Sequence, residues 1–152
     1  MKWTKNDIEK YIQSKEYIDT AIIPLLPFRI ADDDDAKESA FQSELLTIIA
    51  NEIEKEITGR ILLLPSYYYI KKNTLETEAE RLNAWTDEVL QQEFEHTFYI
   101  TFDSSWKKHE KLLEGDLIWL QMVKSGDIHS KEMEPVIRDQ TKQMIELIRS
   151  YW

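Results

Sequence analysis

The sequence predicts an α/β fold: a single three-layer domain over residues 1–152, in which helices flank both faces of a mostly parallel four-stranded sheet. Three observations carry this. Two runs, "ILLL" at residues 61–64 and "DLIWLQMV" at 116–123, are apolar without polar alternation, as strands covered on both faces read. Strand-like and helix-like segments alternate four times along the chain, which calls for right-handed crossovers between parallel strands. A chain of 152 residues can bury one two- or three-layer core but not two independent ones. For the strand order, the flavodoxin-like arrangement is the expectation for a small doubly wound sheet.

The elements follow in order. "NDIEKYIQSKEY" carries Ile8 and Ile12 at helical spacing. "TAIIPLL", residues 20–26, reads as a strand, but Pro24 cannot donate to a ladder, so it is either an edge strand or one whose pairing stops near Pro24. "KESAFQSELLTIIANEIEKEI" places Phe41, Leu45, Ile48, Ile49, Ile53 and Ile57 on one stripe, with Gly59 as the stop. In "RILLLPSYYY", Leu62 and Leu64 should face one layer, Ile61 and Leu63 the other. A helix then runs from about Thr77, in a capping box with Glu80, through Leu82, Trp85 and Val89. "TFYITF" is the third strand, followed by a short helical segment capped by Asp103 or Ser104 and ended by Gly115. The "DLIWLQMV" strand leads to a closing helix with Pro135 near its start and Met144, Ile145 and Ile148 on its inner stripe.

Composition narrows the function classes. Hydrophobic residues make up 42% of the chain, enough to fold despite 32% charged residues. Nineteen Lys and Arg stand against 29 Asp and Glu, and a net charge of -10 repels phosphate backbones and anionic lipid. Lys71-Lys72 and Lys107-Lys108 are too short to form a basic face, so no nucleic-acid partner is expected. The chain has no cysteine, which removes thiolate nucleophiles, disulfides and thiolate metal sites. No signal-like run and no stretch near the roughly 20 apolar residues of a membrane span is present. The expectation is a cytoplasmic protein without direct membrane insertion. With only Gly59, Gly115 and Gly126, there is no G-x-G-x-x-G and no P-loop, so no nucleotide cofactor is expected.

Ligands of open parallel sheets bind beyond the carboxyl ends of the strands. That edge should collect Arg29 and Asp32 to Asp35, then Ser66 and Tyr67 to Tyr69, then Asp103, Ser104 and Ser105, and finally Gln121, Lys124, Asp127 and His129. The four aspartates lack the alternate spacing and the glycine of a calcium loop, so they are read as helix-capping residues, Asp34 or Asp35 capping a helix from about Lys37, and no metal site is assigned. Ser66 lacks the glycines of a nucleophile elbow. Tyr67 and Tyr69 share one side of their strand and, with Arg29, are the candidate ligand-binding groups. His96 sits at the opposite, amino edge, and His109 lies in an amphipathic, exposed segment. His129 forms a D-x-H pair with Asp127.

"KWTKNDIEKYIQSKEYIDTAIIPLLP" and "GRILLLPSYYY" resemble the YpiF-like domain-of-unknown-function family of Bacillus-type bacteria, over essentially the whole chain. The resemblance implies a cytoplasmic protein of a Gram-positive bacterium and carries no activity. The strand-proline pattern "IIPL" and "LLLP" is also similar to that of the creatininase-type amidohydrolases. Phe28-Arg29-Ile30 stand where that family has its metal-binding Glu and His, so its metal chemistry does not carry over.

Two functional readings follow. The first is a non-catalytic interaction or accessory protein, binding a protein partner or a second copy through exposed aromatics among Tyr67 to Tyr69, Trp106 and Tyr151-Trp152. The second is a small-ligand, hydrolase-like enzyme with Ser66, Asp103 and His129 as catalytic groups at the carboxyl edge. It requires those three side chains to converge.

Overall fold

Strand β1 (Thr20–Phe28) is buried from Thr20 to Pro27 and organises the rest of the computed structural model, which describes residues 1–123 and 127–152. Helix α1 (Lys5–Gln13) precedes it. After it come α2 (Asp33–Glu56), β2 (Ile61–Leu63), β3 (Tyr67–Ile70), α3 (Leu75–Val89), β4 (His96–Thr101), a 3-10 helix (Ser104–Leu112), β5 (Asp116–Trp119) and α4 (Met133–Tyr151). All strand pairings are parallel. β2 and β3 pair in succession along one side of β1, β4 pairs along the other side, and β5 lies beyond β4. The sheet is therefore five strands in four lanes, because Tyr67 to Tyr69, expected beyond the carboxyl end of the second strand, re-enter the lane as a strand of their own after the break at Pro65-Ser66. Lane order is second, first, third, fourth, the flavodoxin-like order.

Two prolines in a central strand need an explanation, since each lacks a ladder donor. Alternate residues of a parallel strand bond to opposite neighbours. Thr20 N donates to Arg60 O, while Ile22 O and Phe28 O accept from Leu64 N and Lys71 N, so even-numbered residues of β1 face the β2/β3 lane. Pro24 would donate into that lane at its break: Thr20 is level with Ile61 but Leu25 with Tyr67, five residues of β1 against six of its neighbour. Pro27 would donate toward β4, but β4 ends at Thr101, and Phe102 O accepts instead from Trp119 Nε1 at 3.0 Å. The strand is thus central, and of the two readings of Pro24 the interrupted pairing holds.

The pleat divides the core. Ile22, Leu26, Ile61, Leu63, Phe98, Ile100 and Ile118 pack on one face against α2 and α4. Ile23, Leu25, Leu62, Leu64, Tyr99 and Leu117 pack on the other against α1, α3 and Trp106 of the 3-10 helix. Leu62/Leu64 and Ile61/Leu63 part as expected. The step from β1 to β2 carries α2 on one face, and the opposite step from β3 to β4 carries α3 on the other, as crossovers of one hand require.

Two caps fall earlier than the pattern predicts. Asp32, not Asp34 or Asp35, caps α2, accepting from Asp35 N at 3.0 Å, and Asp33 to Asp35 form the first turn. Carboxylates stabilise a helix N-terminus, so a run of aspartates continues the helix rather than preceding it. Thr74, not Thr77, caps α3, accepting from Thr77 N. Asp103 caps the 3-10 helix as expected, accepting from Ser105 N at 2.9 Å.

The amino edge is tied by one polar cluster. Arg60 Nε donates to both Asp19 oxygens at 3.0 Å while its guanidinium lies 3.7 Å from the Trp152 ring centroid. Trp152 Nε1 donates to Thr20 Oγ1, which donates to Asp19 Oδ1. Burial pushes the Asp19 carboxyl up, but hydrogen bonds from Arg60 and Thr20 and the Arg60 charge together hold it below the ordinary aspartate value. A depressed folded value stabilises the fold above the unfolded value, about 3.9, and that contribution is lost as the pH falls through the folded one. Asp19→Asn should cost about 1–3 kcal/mol at neutral pH and flatten the acid limb of the melting temperature below about pH 4, read by calorimetry across pH.

Gly115 enters β5 beneath Tyr99. A Cβ there would lie 2.7 Å from Thr97 O and 2.9 Å from the Tyr99 ring, which is itself fixed by Thr86 Oγ1 at 2.8 Å. Gly115→Ala should therefore destabilise by about 1–3 kcal/mol in urea unfolding. Gly59, with open space around it, should tolerate alanine.

Candidate functional site

The order of the lanes reverses between β1 and β4, and the carboxyl ends of these strands open into a recess of about 380 Å³. Tyr69 from β3, Asp103 from the turn after β4, Ser105 from the start of the 3-10 helix, Lys71 after β3, and Glu38 and Gln42 from α2 line it. Tyr69 Oη donates to Asp103 Oδ2 at 2.6 Å, and its ring meets Trp106 edge-on with centroids 5.2 Å apart. Burial, reinforced by the Asp103 charge, pushes the Tyr69 phenol far above its ordinary value. Tyr69 is thus a fixed donor, not a base. Gln42 Oε1 is buried without a partner among the described residues. The recess is rich in acceptors, which suits a small donor-bearing ligand.

The candidate residues disperse. Asp103 and Tyr69 share the recess; Ser66 and His129 are not among its lining residues. His129 Nε2 lies 3.2 Å from Glu44 of α2, with three quarters of its side chain exposed. Arg29 Nε pairs with Asp35 at 2.8 Å, and Lys71 reaches the same carboxylate at 3.5 Å. Tyr67 packs edge-on against Trp85 of α3. Lys124 lies outside the described residues. His109, expected to be exposed, is half-buried, bridging Ser105 O and Glu76 of α3, and these bonds raise its value. Among the described residues no three His, Asp or Glu side chains gather as a metal ion would need.

The expected aromatic surface is also redistributed. Trp106 is wholly buried and Tyr69 nearly so, because the 3-10 helix turns Trp106 onto the sheet, whereas Tyr68 and Tyr151 stay exposed. The larger apolar recess, about 740 Å³, lies elsewhere: a groove between α1 and α3 over the β2 lane, lined by Trp3, Ile8, Ile12, Leu62, Trp85 and Phe94 among others. Trp3 and Ile12 are each 60% exposed. Ile12 was legible as a helix residue, but spacing could not show that α3 stands away from α1. The groove borders an acidic recess carrying Glu16, Glu93 and Glu95.

Fold and recesses define a small doubly wound parallel α/β domain. A family profile described as "Protein of unknown function (DUF2487)" matches residues 9–152, and the chain belongs to that family. The chain is 29% identical to the protein titled "Uncharacterized protein YpiF" of Bacillus subtilis (strain 168), over 100% of its own length and 98% of that protein's. No solved structure matches the chain. No helix among the described residues is long and apolar enough to cross a membrane.

Tyr69→Phe should leave Asp103 Oδ2 without its donor and cost about 1–2 kcal/mol in urea unfolding, with the fold retained by circular dichroism.

Proposed function

We propose that this protein is a non-catalytic accessory protein of the cytoplasm that holds a basic amphipathic segment of a partner protein in the groove between α1 and α3. The observation that carries the reading is the groove itself: two tryptophans, Ile12 and Phe94 line one apolar trough, and its outermost side chains, Trp3 and Ile12, stay in water. Aromatic anchors of this kind dominate interface energies once desolvated. Charge chooses the occupant. Glu88 on the groove and Glu16, Glu93 and Glu95 beside it outnumber the single Lys15, so a segment with apolar anchors and flanking cations is favoured. A second reading, a small-ligand protein acting at the carboxyl edge, is favoured by one observation, the acceptor-rich recess at Asp103 and Gln42.

The test uses a Leu/Lys amphipathic peptide of about five helical turns, with a Leu/Glu counterpart and a scrambled Leu/Lys control. The ordered basic peptide should change tryptophan fluorescence saturably, and Ile12→Glu should weaken it about tenfold or more without lowering the melting temperature. Equal binding of the scrambled peptide, or indifference to Ile12→Glu, would overturn the reading.

A further inference from the structure

The fourth lane ends the sheet with an open edge. β5 is only four residues long, and its outer side forms a trough of about 300 Å³ between the 3-10 helix and α4, the place a further parallel strand would fill in a longer flavodoxin-like sheet. Leu120 N donates to Thr101 O, so the amides of Asp116, Ile118 and Leu120 turn toward β4 and those of Leu117 and Trp119 turn outward. No backbone bond outside the strands and helices takes up Leu117 or Trp119 among the described residues. Such a row of unpaired groups is a template for another strand.

The flanks of the trough say which strand. Lys107 Nζ lies 3.7 Å from the Trp119 ring centroid, at the carboxyl end of β5. Glu110, three residues on and therefore on the same side of a 3-10 helix, lies toward the opposite end. On the other face Leu147 and Tyr151, one turn apart on α4, are 47% and 46% exposed. The trough is thus positive at one end, negative at the other and apolar beneath. That pattern is complementary to itself turned end for end.

We infer that a second copy of this chain occupies the trough, its β5 antiparallel to the first about a two-fold axis through Ile118. In that register Leu117 stands opposite the partner's Trp119, so each of the two pairs exchanges both of its outward hydrogen bonds. One sheet then runs through both copies. Lys107 of one copy meets Glu110 of the other on one face, twice by symmetry, and the Leu147 and Tyr151 side chains of both close the other face. The contact is isologous and closes on itself.

Sedimentation velocity of the full chain up to about 100 µM, with hydrogen exchange at the same concentrations, tests this. The expected result is a concentration-dependent dimer in which the Leu117 and Trp119 amides gain protection as it forms. Lys107→Glu and Glu110→Lys should each raise the dissociation constant about tenfold or more, and the double variant should restore it to within about threefold, with the melting temperature unchanged at concentrations dilute enough for all to be monomeric. A monomer across the whole range would overturn the inference. So would a dimer whose Leu117 and Trp119 amides stay unprotected, or one that the double variant fails to restore.

Discussion

The hydrogen bonding of β1 is the constraint on which the rest of this structure depends. A central parallel strand must place its donors in two ladders at once, and one carrying Pro24 and Pro27 cannot do so along its whole length. The chain meets this by ending one ladder where each proline would have donated. On the second-lane side the extra residue at Pro65-Ser66 interrupts pairing beside Pro24, and on the other side β4 stops before Pro27. Both interruptions shape the carboxyl edge. The first resets the register so that Tyr67 and Tyr69 point to the α3 face, where Tyr69 reaches Asp103; the second opens the space in which the Asp103 turn sits.

The two faces of the sheet are covered unequally. Helices of 24 and 19 residues cover one face, with a largely charged recess of about 610 Å³ between them lined by Glu52, Glu56, Glu134, Arg138 and Arg149 among others. The other is closed by α1, with nine residues, α3, with fifteen, and a 3-10 helix whose one large buried side chain is Trp106. Aromatic side chains supply the missing bulk there. Tyr67 and Trp85, Tyr69 and Trp106, and Tyr11 and Phe94 pack in pairs that span gaps shorter side chains would leave empty. Large rings between short helices fill the core but do not seal its margin, which is why the apolar groove lies on this face.

Much of the fold was legible because the signals were local and strong. Uninterrupted apolar runs announced buried strands, their parity assigned Leu62 and Ile61 to opposite layers, and the Ile-rich stripe of α2 announced the longest helix. What was not legible depends on geometry between elements. Pro65 marks the end of the second strand, but that Tyr67–Ile70 return to the same lane one residue out of register depends on pairing beside Pro24 of β1, some forty residues earlier. The helix starts were misplaced for a different reason. Aspartate and threonine serve both as caps and as first-turn residues, so a run of four aspartates or a pair of threonines fits several starts equally well. For the site, sequence placed Asp103 and Tyr69 at one edge but could not bring Ser66 or His129 beside them, since a loop's direction is not encoded in its composition.

The three outer edges of the sheet are treated differently, and the contrast bears on which of them stays available. Beside β2, Met1 bonds to Ile61 O and Leu63 N, closing that edge from within the chain. Beside β3, Tyr68 Oη pairs with Ser43 of α2, and Lys71 and Lys72 follow the strand, and lysines at an edge disfavour pairing with another chain. Among the described residues β5 has neither protection. Its lysine is drawn aside onto the Trp119 ring instead of standing over the edge, and the neighbouring α4 offers leucine and tyrosine rather than charge. A chain with a net charge of -10 resists nonspecific self-association at most of its surface, so the proposed pairing has to rest on the local pattern at this short edge, where Lys107 and Glu110 offset one another, and not on the surface as a whole.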